Sequence, residues 1–245
     1  MTAHYRDLAD RGDRPALATP PVPKPALAVA LAAGAELSGP DEGPGPYRRG
    51  LKRLFDVSVV LAALPAVLLV VLLLSLLVML DGGPPFYSQA RLGRGGRVFR
   101  MWKLRSMVPD AEERLRQHLD ACPAARAEWD STQKLKNDPR VTRVGRLLRK
   151  SSLDELPQLW NVLRGDMSLV GPRPMMPDQR PLYPGAAYFA LRPGITGPWQ
   201  VSERNETTFA DRARFDADYD RRLSFATDLC LLAATVRVVL RATGY

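Results

Sequence analysis

Cysteine and histidine are both scarce: the 245 residues hold two of each. Cys122 and Cys230 lie too far apart for a CxxC pair and are too few for a disulfide framework. A structural zinc site would need ligands that this chain hardly has. With only His4 and His118 available, a Ser-His-Asp hydrolase of the usual kind is also disfavoured. Chemistry must therefore run on carboxylates, hydroxyls, Lys or Arg. Acidic charge is in deficit as well, since 35 Lys and Arg oppose 26 Asp and Glu, a formal charge of +9. Residues 1–46 carry four basic and six acidic side chains, a net of −2, which leaves +11 on the remaining 199. A basic domain suits nucleic acid, an anionic membrane or a phosphorylated substrate, and charge alone does not choose. No GxxxxGK[ST] loop or full GxGxxG fingerprint is present, and no nucleic-acid recognition motif accompanies the charge.

The first 46 residues include eight Pro and five Gly, with Pro20, Pro21, Pro23 and Pro25 close together. This composition predicts an extended, disordered leader. The apolar patch Ala26–Ala35 is too short to span a bilayer and lacks the basic start of a secretory signal.

From Tyr47 the chain changes character. Arg48, Arg49, Lys52 and Arg53 precede an uncharged run of 24 residues, Val57–Leu80, interrupted only by Ser58, Pro65 and Ser75. As a straight helix it would extend about 36 Å, enough for a hydrocarbon core of roughly 30 Å. Lys and Arg prefer the cytoplasmic side. Both flanks are basic, because Arg91, Arg94, Arg97, Arg100, Lys103 and Arg105 follow with no acid among them. A re-entrant helix that turns back at Pro65 satisfies both flanks, and a single crossing does not. The segments 47–81 and 82–245 thus read as an anchor and a folded domain.

Within that domain Val98–Leu104 reads as a short strand, Asp110–Trp129 as helix interrupted by Pro123, and Phe225–Leu240 as an interfacial or core helix. Ser152, Leu153, Asp154 and Glu155 fit a capping box ahead of Leu156, Leu159, Trp160 and Leu163, with Gly165 as the stop. A cap explains the acidic pair. Two carboxylates after a basic segment also suit Mg²⁺ beside a phosphate, or direct attack of a carboxylate on phosphorus. In Gly171-Pro172-Arg173-Pro174 the prolines stiffen the chain around a guanidinium fork suited to phosphate. Asp166 reads as a helix-end partner or a further ligand. Arg192-Pro193-Gly194 has the same stiffness, and Trp199 reads as base stacking or packing. Lys103 and Arg105 alternate with Leu104, so on a strand they would share a face toward a diphosphate or a lipid headgroup.

Together these motifs resemble the bacterial sugar transferase family, the monotopic polyprenyl-phosphate phosphoglycosyl transferases that start exopolysaccharide assembly. The resemblance covers about residues 47 to 245. It rests on Lys52-Arg53-Leu54-Phe55-Asp56, Trp102-Lys103-Leu104-Arg105-Ser106-Met107, Ser152 to Gln158, Gly171 to Pro174 and Arg192-Pro193-Gly194-Ile195-Thr196-Gly197. It implies an α/β fold: a re-entrant helix broken at Pro65, then a compact, mostly helical catalytic domain with a little β structure on the cytoplasmic face of the bacterial inner membrane. It implies that Asp154 takes a sugar phosphate from a UDP-sugar, releases UMP, and passes the sugar phosphate to polyprenyl phosphate. Glu155 matches the paired acid, engaged with Mg²⁺ and proton handling, and both carboxylates are the candidate metal ligands. Arg173 matches a phosphate-binding arginine; Lys103, Arg105, Arg192, Arg204 and Asn205 are further candidates for substrate binding. Membrane lipids are the expected partners, nucleic acid is not, and a homodimer is compatible with a sequence that has no seam demanding one. Two departures stand out: Glu203 where many relatives carry Gly, and Leu64 where some carry Ser. The alternatives are a glycosyltransferase that moves only the sugar and releases UDP, and a membrane-tethered anion-binding protein without catalysis.

Overall fold

A wide helical turn, Tyr47–Leu51, opens into the long helix α1, Lys52–Leu80, in the computed structural model, which describes residues 45–132, 135–202 and 208–240. The expected leader, up to residue 44, lies outside the described residues. Helix α1 is the one helix among the described residues long and apolar enough to cross a membrane, and only 6% of its most apolar stretch is buried. That exposure excludes the core helix of a soluble protein. Leu61, Leu68, Leu69, Leu72, Leu73 and Leu76 present an apolar surface that belongs in lipid.

Both ends of α1 are fixed to the same domain. At its start Asp56, 1% exposed, accepts hydrogen bonds from Ser168 Oγ (2.7 Å) and the Leu169 amide (3.2 Å). Lys52 pairs with Asp228 at 2.5 Å, and Asp228 also accepts from Tyr47 and Tyr219 hydroxyls. The Arg53 guanidinium donates to the carbonyls of Val162 and Leu163, near the end of a later helix. At the far end Arg105 donates to the carbonyls of Val78 (2.9 Å) and Pro84 (2.8 Å), satisfying a helix-end carbonyl that would otherwise be unpaired. Val71, Leu74 and Val78 pack there against Leu104 and Leu148. Between the two anchorages, Leu61 to Leu74 contains no buried residue. A helix whose ends meet one domain cannot place them on opposite sides of a bilayer. Pro65 falls in the free middle, where its missing amide breaks the hydrogen-bond ladder. The anchor is monotopic, with the folded domain on the cytoplasmic face.

Asp56→Ala would leave a buried hydroxyl and a buried amide without an acceptor. The expected loss is about 2–4 kcal/mol, read as a lower Tm in detergent. Exchange at Leu61, in the lipid-facing middle, should leave Tm almost unchanged.

The domain begins with an antiparallel hairpin of β1, Phe86–Leu92, and β2, Val98–Leu104, in register from Phe86↔Leu104 to Leu92↔Val98. Gly95 and Gly96 supply the positive φ angles of its turn. Helices α2 (Ala111–Ala121) and α3 (Pro123–Thr132) follow, divided near Pro123 as expected. Then come α4 (Arg143–Ser151), a 3-10 turn (Leu153–Glu155), α5 (Gln158–Arg164), β3 (Ser168–Val170), a second 3-10 segment (Pro177–Leu182), α6 (Ala187–Ala190), β4 (Gly194–Thr196) and α7 (Pro198–Val201). Helices α8 (Arg212–Arg221) and α9 (Phe225–Leu240) close the described chain. Strands β3 and β4 pair in parallel. Val60 of the anchor, Met101, Val162, Met167, Val170, Tyr219 and Leu231 share the main core. The expected architecture holds: one long apolar helix, then a mostly helical domain with two small sheets.

Candidate active site

The acidic pair sits between two helices and not inside one. Thr142 caps α4 by accepting from the Gly145 amide (2.9 Å), and Gly145 itself lets α4 press onto the backbone after β2. A Cβ there would lie 2.0 Å from the Ser106 carbonyl oxygen. At the other end of α4, Ser152 turns the chain in the left-handed region (φ 58°) and its side chain makes no capping bond. The expected capping box is therefore absent. Ser152 is left-handed where a capping residue is extended, and the Glu155 amide donates to the Ser152 carbonyl (3.2 Å) and not to its hydroxyl. Pro157 has no amide to donate, so the 3-10 turn ends and α5 starts afresh at Gln158.

This break aims both carboxylates at β2. Lys103 Nζ lies 2.7 Å from Glu155 Oε1 and 3.9 Å from Asp154 Oδ2. Asp154 is only 7% exposed, and burial pushes its carboxyl above the ordinary aspartate range. Lys103 opposes that shift, Glu155 adds to it, and Arg149 opposes it again. Arg149 is held in place by its Nε bond to Ser106 Oγ (2.9 Å).

Arg173 lines a cleft together with Glu155 and Lys103. Gly171 follows β3 so tightly against β4 that a Cβ on it would stand 2.3 Å from the Arg192 carbonyl oxygen. The Gly171 amide donates to the Thr196 carbonyl (2.9 Å) and the Gly194 amide to that of Pro172 (2.8 Å). The two Gly/Pro motifs thus brace each other across the parallel pair. Arg91, Lys103, Glu155, Gln158, Arg173 and Gln200 line one cleft. Trp199 is 4% exposed, with the guanidinium groups of Arg212 (4.1 Å) and Arg173 (5.7 Å) over its ring, so it is packing and not a free stacking surface.

Two expected site residues fall elsewhere, and two are not among the described residues. Arg105 lies one residue beyond β2, so the alternation that would align it with Lys103 has ended; it serves the end of α1 instead. Arg192 turns from the cleft to donate to the Gly165 carbonyl (3.0 Å), close to Arg53 and Arg94. Arg204 and Asn205 lie outside the described residues. Asp166 takes the helix-end role, near Asn161 and Arg164. The sequence reading overlooked Arg91, Gln200 and Arg212. Arg91 counted only as a flanking charge, although its place in a strand-like stretch before Gly93 was a usable signal; Arg212 is brought in by long-range packing that no local pattern announces.

Among the described residues no group of three or more His, Cys, Asp or Glu gathers around a point. The pair Asp154 and Glu155 still suits Mg²⁺. That ion usually takes one or two protein carboxylates and completes its shell with water and substrate phosphate oxygens.

The bacterial sugar transferase family matches residues 47–242. The chain is 48% identical over 198 residues to a UDP-galactose-lipid carrier transferase of Erwinia amylovora, covering 80% of this chain and 42% of that protein. It is 46% identical over 200 residues to an undecaprenyl-phosphate galactose phosphotransferase of Salmonella typhimurium, again 80% of this chain and 42% of the relative. The chain thus spans less than half the length of these two relatives. Against the exopolysaccharide production protein ExoY of Rhizobium meliloti it is 46% identical over 199 residues, covering 79% of this chain and 87% of that protein. A match running from the anchor's first turn to α9 takes in every motif that builds the cleft, and on this ground the chain belongs to the bacterial sugar transferase family.

Proposed function

We propose that the protein transfers a hexose 1-phosphate from a UDP-sugar to polyprenyl (undecaprenyl) phosphate and so starts an exopolysaccharide. A carboxylate oxygen of Asp154 bonds to the sugar-bearing phosphorus while that phosphorus loses its bond to the bridging oxygen, and UMP departs. The lipid phosphate oxygen then attacks the same phosphorus, the bond to Asp154 breaks, and the carboxylate is restored. The observation that supports this reading is the meeting of Glu155, Lys103 and Arg173 at one cleft, with Asp154 Oδ2 3.9 Å from Lys103 Nζ. Lys103 keeps a cation beside the attacking oxygen, and Arg173 offers a stiffly held fork to phosphate. Mg²⁺ held by Asp154 and Glu155 would offset diphosphate charge. The monotopic anchor supports a lipid substrate, since the acceptor phosphate lies at the interface. Both galactose-naming relatives support galactose as the first sugar to test, with glucose next.

The test is product analysis across UDP-sugars with undecaprenyl phosphate and Mg²⁺. UMP is the expected nucleotide, whereas UDP would mean transfer of the sugar alone. The pH profile carries a second expectation. Attack needs an ionised Asp154, and its raised affinity for protons means that ionisation is lost, as pH falls, sooner than for an ordinary aspartate. In the metal-free protein Asp154 should therefore take up its proton at a higher pH than an ordinary aspartate, which an NMR titration of its carboxyl reads. Lys103→Gln removes the largest opposing influence and should move that titration higher still.

A further inference from the structure

Arg173 does not face the cleft alone. Arg91, near the end of β1, lines the same cleft and donates through Nη1 to the Pro174 carbonyl (3.2 Å), which ties it to the motif that carries Arg173. Its Nη2 donates to Gln89 Oε1 (2.6 Å), but its buried Nε has no partner. Gln200 Oε1, also on the lining, is buried without one too. Behind Trp199 a third guanidinium, Arg212, again has a buried Nε with no partner. Among the described residues no carboxylate forms an ion pair with Arg91, Arg173 or Arg212. Burial, then the charge of Arg173, pulls the Arg91 guanidinium below its ordinary range, and the same two causes bring Arg212 down to about 10. The nearest acid that lines the cleft, Glu155, is engaged by Lys103.

Asp216 opposes the shift of Arg212 and Glu155 that of Arg91, but neither forms an ion pair with them, and like charges so gathered cost stability unless an anion joins them. Resting on the transferase reading above, we infer that Arg91 and Arg173 form a two-guanidinium clamp on a single phosphate group of the substrate. The clamp extends phosphate recognition to a residue on β1, outside the Gly/Pro motif. Its chemistry suits both the phosphate that departs with the nucleotide and the phosphate of the lipid acceptor.

Calorimetric titration of the full-length Asp154→Asn chain in detergent, with inorganic pyrophosphate as probe, tests this without turnover. Arg91→Gln and Arg173→Gln should each weaken binding about tenfold or more, and the double variant by less than the product, because both forks grip one anion. Arg100→Gln removes an equal charge from the exposed face of β2 and should change affinity by no more than about twofold. Arg91→Lys keeps the charge but loses the fork, so several-fold weakening is expected of it even if Arg91→Gln does not fold. Pyrophosphate affinity in the folded Arg91 variants equal to that of Arg100→Gln would overturn the clamp. UMP and a short-chain prenyl phosphate, titrated separately, tell which substrate's phosphate it holds: the Arg91 dependence should appear with one or both, and its absence from both would also overturn the clamp. The two readings fail differently. UMP release by the wild type with Arg91-independent pyrophosphate binding removes the clamp alone; Arg91-dependent binding with no UMP release removes the transferase chemistry alone.

Discussion

Asp154→Asn should abolish the covalent phosphosugar adduct and lower UMP release by about 10⁴-fold, while the chain stays folded and membrane-bound. The substitution is close to isosteric, and Lys103 keeps its 2.7 Å partner in Glu155, so the local ion pair survives. Replacing a buried carboxylate by a neutral amide also lifts a desolvation cost. Loss of the reaction with an unchanged Tm would locate the effect in the chemistry. A membrane-tethered anion-binding protein would lose nothing, and a sugar-only transferase would still release UDP. The three readings thus part on one variant.

Gly171→Ala should have the next largest effect, through packing. Its Cβ would stand 2.3 Å from the Arg192 carbonyl oxygen and 2.9 Å from the Gly194 amide, both backbone atoms. No side-chain rotation relieves such a contact, so β3 and β4 must part. The bond from the Gly171 amide to Thr196 would stretch, and Arg173 would move with it. We expect a cost of about 3 kcal/mol, a Tm lower by roughly 6–12 °C, and UMP release reduced at least about tenfold. Gly95→Ala is the comparison. It has a positive φ but open space around it, so only the conformational cost of about 1 kcal/mol is expected.

The anchor and the acidic pair differ in how much of them the sequence reveals. The anchor was legible because 24 uncharged residues between two basic flanks leave few physical options. The strand Val98–Leu104 and the division of the helix near Pro123 came equally from local pattern. The acidic pair was legible as a pair, but its setting was not. Ser152 and Glu155 have the spacing of a cap, and only the fold shows that Pro157 restarts the helix and leaves Asp154 on a 3-10 turn. Arg105 and Arg192 show where such reading ends. An arginine beside a motif of this kind serves as readily to satisfy the carbonyls at a helix end as to bind phosphate, and which it does depends on contacts 27 residues away in both cases. Lys52, Arg53 and Asp56 make the same point from the other side. Their cluster read as membrane-flanking charge, yet each is committed to Asp228, to the end of α5 or to β3. The charges that orient the anchor also bolt it to the domain that carries the site.

The most direct measurement is the intact mass of the wild-type protein after incubation with UDP-sugar and Mg²⁺ but no lipid acceptor. A mass increased by one hexose phosphate, removed on adding undecaprenyl phosphate and never seen in Asp154→Asn, is the predicted result. An unchanged mass in a preparation that turns over fully once acceptor is supplied would contradict a covalent step at Asp154.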